Sequence, residues 1–133
     1  MSYKGQCSCG RVAFAITGKP KLVAECWCGK CQRYGGGGST VNALFEADQV
    51  SLRGELGWHR YEADSGNQVE VGFCRACGTH VAARTSGRPG CTIIRLGAVD
   101  QPHDLVPAFK AFTQDAPAWS QSGRLPDQSP PMP

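Results

Sequence analysis

Apolar residues alternate with others at Val12, Phe14 and Ile16, and again at Val69, Val71 and Phe73, the period of half-buried strands. Neither run is long enough for a helix. Less regular segments of the same kind occupy residues 22–26, 40–45, 50–53, 58–62, 80–85 and 92–96. Turn-forming clusters separate them: Thr17-Gly18-Lys19-Pro20, Arg53-Gly54-Glu55, Asp64-Ser65-Gly66-Asn67 and Ser86-Gly87-Arg88-Pro89-Gly90. Eight short strands in close succession predict an all-β domain. Residues 28–34 predict one or two helical turns, stopped by the four glycines Gly35 to Gly38. No internal boundary interrupts the pattern. The reading is one domain over residues 1–126 and a Pro-rich tail over 127–133, the drift towards Ser, Gly and Pro beginning at Ser120.

Composition narrows the class. Hydrophobic residues make up 41% of the 133, enough for one modest core, while 17 glycines and 9 prolines disfavour a helical bundle. No apolar run approaches the roughly 18 residues of a membrane span. The cysteines begin at Cys7, which leaves no room for a signal sequence before them, so a cytoplasmic protein without a membrane partner is expected. The formal charge is +3, with basic residues scattered from Lys4 to Arg124 and no run of three, which argues against a nucleic-acid partner. The glycine run is not a phosphate loop: no Lys-Ser or Lys-Thr follows it, and the next segment reads as a strand. A plain turn and a side-chain-free approach to the neighbouring cysteines are its two readings.

The eight cysteines carry the chemistry. They fall into Cys7-Ser8-Cys9, Cys26-Trp27-Cys28-Gly29-Lys30-Cys31, Cys74-Arg75-Ala76-Cys77 and a separate Cys91. In a reducing compartment such clusters indicate metal ligands before disulfides. Zinc prefers tetrahedral sulfur ligation, and a glycine after the second cysteine, such as Gly78, lets the backbone fold back towards a metal. Two pairs can complete a closed four-thiolate site, and a triplet leaves a fourth position for water or substrate. Spacing alone also permits Cys28 and Cys31 to join Cys74 and Cys77 as a zinc ribbon, with Cys7, Cys9 and Cys26 left as loose thiols. The runs lack ferredoxin-type spacing. Cys91 is either a fourth ligand for the triplet or a small residue of the apolar strand Cys91-Thr92-Ile93-Ile94.

Three ordered signatures, Gly5-x-Cys7-x-Cys9-Gly10-x-Val12-x-Phe14, Cys26-x-Cys28-x-x-Cys31-Gln32-Arg33 and Gly72-Phe73-Cys74-x-x-Cys77-Gly78-Thr79, resemble those of the glutathione-dependent formaldehyde-activating enzyme family, also called the centromere protein V family. The stretch Leu96-Gly97-Ala98-Val99-Asp100, then Pro107 and Ala116-Pro117-Ala118-Trp119, resembles its C-terminal part, so the likeness spans about residues 3 to 126. It implies a compact, zinc-stabilised β-tent fold with at most short helical turns and two zinc ions per chain. One zinc is structural, on Cys7, Cys9, Cys74 and Cys77. The other is associated with activity, on Cys26, Cys28 and Cys31. The implied reaction is reversible addition of glutathione, as co-substrate, to formaldehyde to give S-hydroxymethylglutathione, a carbon-sulfur lyase chemistry. The implied partner is a small-molecule thiol or thiol-aldehyde adduct.

The alternative is a non-enzymatic module that uses both zinc ions structurally and binds a protein or nucleic acid. Closure of the second site by Cys91 or a histidine would favour it. This chain has Trp27 where many members have His between the first two cysteines of the middle cluster, a position not needed for ligation. Lys30 and Arg33 flank the triplet and could attract glutathione's carboxylates, but read first as solvated charges. His59, His80 and His103 lack metal-ligand spacing, and Trp58 and Trp119 read first as core or rim packing aromatics, with the lining of a ligand pocket by one of them as the alternative.

Overall fold

The structure is a computed structural model and describes residues 2–121 and 125. The Pro-rich tail expected at 127–133 lies outside the described residues.

Ten strands and two short helices form the described chain: β1 (Ser2–Gln6), β2 (Ala13–Thr17), β3 (Leu22–Cys26), α1 (Gly29–Tyr34), β4 (Thr40–Glu46), β5 (Val50–Arg53), β6 (Leu56–Glu62), β7 (Gln68–Cys74), β8 (His80–Thr85), β9 (Cys91–Arg95), β10 (Phe109–Ala111) and α2 (Ala118–Gln121). The expected all-β class holds, with helix confined to short turns. Strands β1, β2 and β5 make an antiparallel sheet in the order β1-β2-β5. The other seven form a sheet in the order β10-β3-β4-β9-β8-β7-β6. All its pairings are antiparallel except that of β10 with β3.

The alternation in β2 buries Phe14 and Ile16 and turns Ala15 and Thr17 outward. Those two buried side chains join Val23 of β3, Phe45 of β4, Val81 of β8 and Ile94 of β9 in one core cluster. Phe45 is fully buried, a placement that contributes about 1.5–3 kcal/mol relative to exposure. Two strands escape the sequence pattern. In β1 only Tyr3 is a large apolar residue, and the strand is fixed by tertiary partners: the Tyr3 hydroxyl donates to Asp104 Oδ1 at 2.8 Å, and Asp100 N–H donates to Lys4 O at 2.8 Å. The three residues of β10 dock on the free edge of β3, opposite Ala24, Glu25 and Cys26.

The two sheets therefore bring separate cysteine-bearing turns together. The β1–β2 connection carries Cys7 and Cys9, while Cys74 ends β7 and Cys77 follows in the β7–β8 connection. At the other end of the large sheet, Cys26 closes β3 and α1 begins three residues later.

Candidate metal centres

Cys7, Cys9, Cys74 and Cys77 place their sulfurs within 4.8 Å of one another. The Sγ–Sγ separations are 3.7 Å for Cys7–Cys9 and 3.8 Å for Cys9–Cys74. A tetrahedron with Zn–S bonds of about 2.3 Å has edges of about 3.8 Å, so the four donors fit a zinc ion in number, chemistry and spacing. Local backbone makes the cradle. Cys7 N–H donates to Val12 O and Gly10 N–H returns to Cys7 O, while Cys74 N–H donates to Thr79 O and Gly78 N–H returns to Cys74 O. Gly78 has φ +79°, a conformation that an L side chain strains.

The donors also differ electrostatically. The Cys77 thiol is pulled down to about 5, first by the Thr79 hydroxyl and then by the backbone N–H groups of Thr79 and Cys9. Cys9 accepts from the Arg11 backbone, which favours its thiolate, but burial and the other three sulfurs push it up to about 11. Cys7 is lowered on balance: burial raises it, and the Val12 N–H at 3.3 Å with neighbouring sulfurs outweighs burial. Ionisation is therefore uneven across these donors, favoured at Cys77 and Cys7 and opposed at Cys9, and a bound cation would favour the thiolate form of Cys9 as well.

Cys26, Cys28 and Cys31 converge within the same 4.8 Å limit. Cys28 is the N-cap of α1, and its sulfur accepts from Cys31 N–H at 3.4 Å, so one side chain serves both helix start and cluster. Cys26 is lowered, chiefly by its contact with Cys31. Burial raises Cys28, and Cys26 together with burial raises Cys31 strongly. The donor set fits zinc with three protein ligands. Among the described residues no fourth Cys, His, Asp or Glu joins the three.

The glycine run serves both of its readings. Helix α1 ends with Gly35 N–H on Cys31 O at 2.7 Å, and a Cβ on Gly35 would sit 2.6 Å from Ser39 O. Gly36 and Gly37 adopt positive φ in the turn that follows.

Cys91 lies apart from both clusters, with its sulfur 3.9 Å from Glu46 Oε2. Trp27 is buried and donates from Nε1 to Glu25 Oε2 at 2.8 Å, while Gln32 Nε2 ties Trp27 O to Asp115 O. His59 stacks on Tyr61, and His103 Nδ1 accepts from Leu105 N–H. Trp58 packs against the core beneath Arg84, whereas Trp119 is 54% exposed. Lys30 is not simply solvated: its Nζ stands 4.7 Å above the Tyr61 ring.

Two cavities flank the triplet. One, of about 460 Å³, is lined by Cys28, Lys30, Tyr61 and Phe112 among others. The other, of about 280 Å³, is lined by Tyr34, Ser39, Thr40, His80 and Arg95 among others. His80 and Arg95 gave no sequence signal of a site. The trace for Arg95 is a charge that closes the apolar strand β9 without breaking it.

No curated protein matches the chain. A crystal structure of a Rhodobacter sphaeroides protein, determined as a structural genomics target, shares the fold with a TM-score of 0.64 at 20% identity, covering 81% of this chain and 99% of that one. Among the described residues, no helix is long and apolar enough to cross a membrane. Residues 2–115 match the family described as glutathione-dependent formaldehyde-activating enzyme, to which the chain therefore belongs.

Proposed function

We propose that the chain binds a structural zinc at Cys7, Cys9, Cys74 and Cys77 and a second zinc at Cys26, Cys28 and Cys31, where it takes up glutathione and promotes its reversible addition to formaldehyde. The domain that does this spans residues 1–126 and works in the reducing cytoplasm. One observation carries the reading: three thiols converge beside a cavity of about 460 Å³, whereas the other cluster is complete with four. A three-ligand zinc keeps a position open to substrate.

When bound there, zinc supplies the positive charge that holds a substrate sulfur as thiolate near neutral pH. The chain's own residues do the rest. Cys28 fixes the cluster to the start of α1, and the Thr40 hydroxyl reaches the Cys31 sulfur and favours its ionised form. Tyr61 is pushed up to about 12, first by burial, so its hydroxyl keeps its proton and remains a hydrogen-bond donor in the cavity wall. Phe112 and Tyr61 provide aromatic wall to the cavity beside the triplet. In the addition a carbon-sulfur bond forms, the carbonyl π bond breaks, and the thiol proton ends on the former carbonyl oxygen. No electron transfer is involved.

The direct test is two-dimensional exchange NMR of glutathione with formaldehyde, with and without zinc-loaded protein. Exchange between free glutathione and S-hydroxymethylglutathione should exceed the spontaneous rate and return to it with Cys28→Ser. A two-zinc protein that leaves the spontaneous rate unchanged would rule out catalysis and support the binding-module alternative.

A further inference from the structure

Close to the cysteine triplet sits a buried charge with no ion-pair partner among the described residues. Arg95 ends β9 opposite Asn42 of β4, and Asn42 in turn faces Ala24 of β3, two residues before Cys26. The residue is only 9% exposed. Its Nη1 donates to Asn42 Oδ1 at 2.5 Å, and its Nε has no hydrogen-bond partner. The ion pairs among the described residues are Lys21–Glu46 and Arg60–Glu70, neither of which involves it. A guanidinium taken out of water without a carboxylate is costly, and one neutral amide does not offset that. Burial disfavours the charge, while Cys31, Tyr61, Cys26 and Tyr34 pull the other way. That attraction compensates charge at a distance and leaves the Nε–H without an acceptor.

The same cavity holds a second orphan. His80 Nδ1 is buried and unpartnered, and the ring lies 4.8 Å from that of Tyr34. Burial first, and the Arg95 charge second, lower its pKa and keep it neutral at neutral pH, so one tautomer offers a proton at Nδ1. Ser39 and Thr40 add hydroxyls to the lining. Every one of these side chains can donate, and none brings a negative charge. The cavity also begins at the cluster itself, since Thr40 lines it and reaches the Cys31 sulfur. At about 280 Å³ it suits a terminal group better than a whole ligand.

We propose that this cavity is a carboxylate subsite, in which Arg95, assisted by His80, Ser39 and Thr40, receives the carboxylate of a small thiol whose sulfur sits at Cys26, Cys28 and Cys31. It rests on the thiol-binding reading of the triplet and extends the substrate class beyond glutathione, whose carboxylates stand farther from sulfur, to small thiols that bear a carboxylate within a few bonds of sulfur. The guanidinium presents a planar array of donors matched to a carboxylate, which an amide of the same shape does not reproduce.

The test is calorimetric titration of the zinc-loaded protein with 3-mercaptopropionate, its neutral isostere 3-mercaptopropionamide, and propionate. The carboxylate thiol should bind at least about tenfold more tightly than the amide, the discrimination typical of a charged hydrogen bond. Arg95→Gln should bring the two thiols to within about twofold of each other. The wild-type comparison stands even if that variant does not fold. Equal affinity of wild type for both thiols overturns the subsite and leaves the thiol site standing. Binding of propionate that Arg95→Gln abolishes, with neither thiol binding more tightly than propionate, supports the anion cavity and overturns the thiol reading. Absence of binding by all three probes overturns both.

Discussion

Replacing Cys74 by Ser tests the proposed division between a structural and an active centre on energetic grounds. Cys74 is buried, and its sulfur stands 3.8 Å from that of Cys9, 65 residues away in the chain. A metal held by both ends closes a loop of that length in the unfolded chain. The chain-entropy relation for cross-links gives about 4 kcal/mol for such a loop. Cys26 and Cys31 are five residues apart, and the same relation gives about 2 kcal/mol for the triplet, an upper bound because β3 and α1 already fix these residues. Against a total stability of about 5–15 kcal/mol, the first loss approaches global unfolding and the second does not. With an unfolding entropy of about 0.28 kcal/mol/K for a chain of this size, the expected falls in Tm are about 15 °C for Cys74→Ser and at most about 7 °C for Cys28→Ser. Zinc content should drop from two to one per chain in each. Thermal unfolding by circular dichroism, with metal quantified on the same samples, reads both quantities. Equal falls in Tm, or a Cys74→Ser variant as stable as wild type, would refute the division of labour between the two clusters.

Two further predictions rest on single residues. His80 has its pKa lowered by burial and by Arg95, so between that lowered value and about 6.5 the unfolded chain takes up a proton that the folded chain refuses. Its contribution is complete above about pH 6.5 and is lost as pH falls through the window below; His80→Gln should therefore flatten the decline of the urea midpoint between pH 7 and 5, and a steeper decline would contradict the assignment. Gly78 has φ +79°, and a Cβ added there would meet nothing within 4 Å, so Gly78→Ala costs backbone strain alone, about 1–2 kcal/mol, and should weaken zinc at the four-cysteine site without touching the triplet. Competition with a colorimetric chelator would show it.

Elements with a local pattern were legible in the sequence, and those held by partners were not. The alternation in β2 and β7 and the apolar runs of β3, β4, β8 and β9 announce themselves because each strand buries one or both faces. Strand β1 does not, because its place depends on Asp104 and the backbone near Val99 rather than on its own apolar content. Strand β10 is three residues long and exists by pairing in parallel with β3, a partner more than eighty residues earlier. The expected strand 92–96 ends one residue early because Leu96 begins a single helical turn, Leu96–Ala98.

By itself the sequence determined an all-β chain and sorted its cysteines into two pairs, a triplet and a single residue, since both follow from spacing along the backbone. Which pairs meet was a tertiary matter. Spacing allowed Cys28 and Cys31 to face Cys74 and Cys77, but the small sheet carries Cys7 and Cys9 to the β7–β8 turn, leaving the triplet at the end of β3. Sequence could not single out Arg95 among 14 basic residues either. Its significance is that it is buried, without an ion-pair partner among the described residues and close to the sulfurs, and burial and pairing are properties of neighbours that only folding supplies.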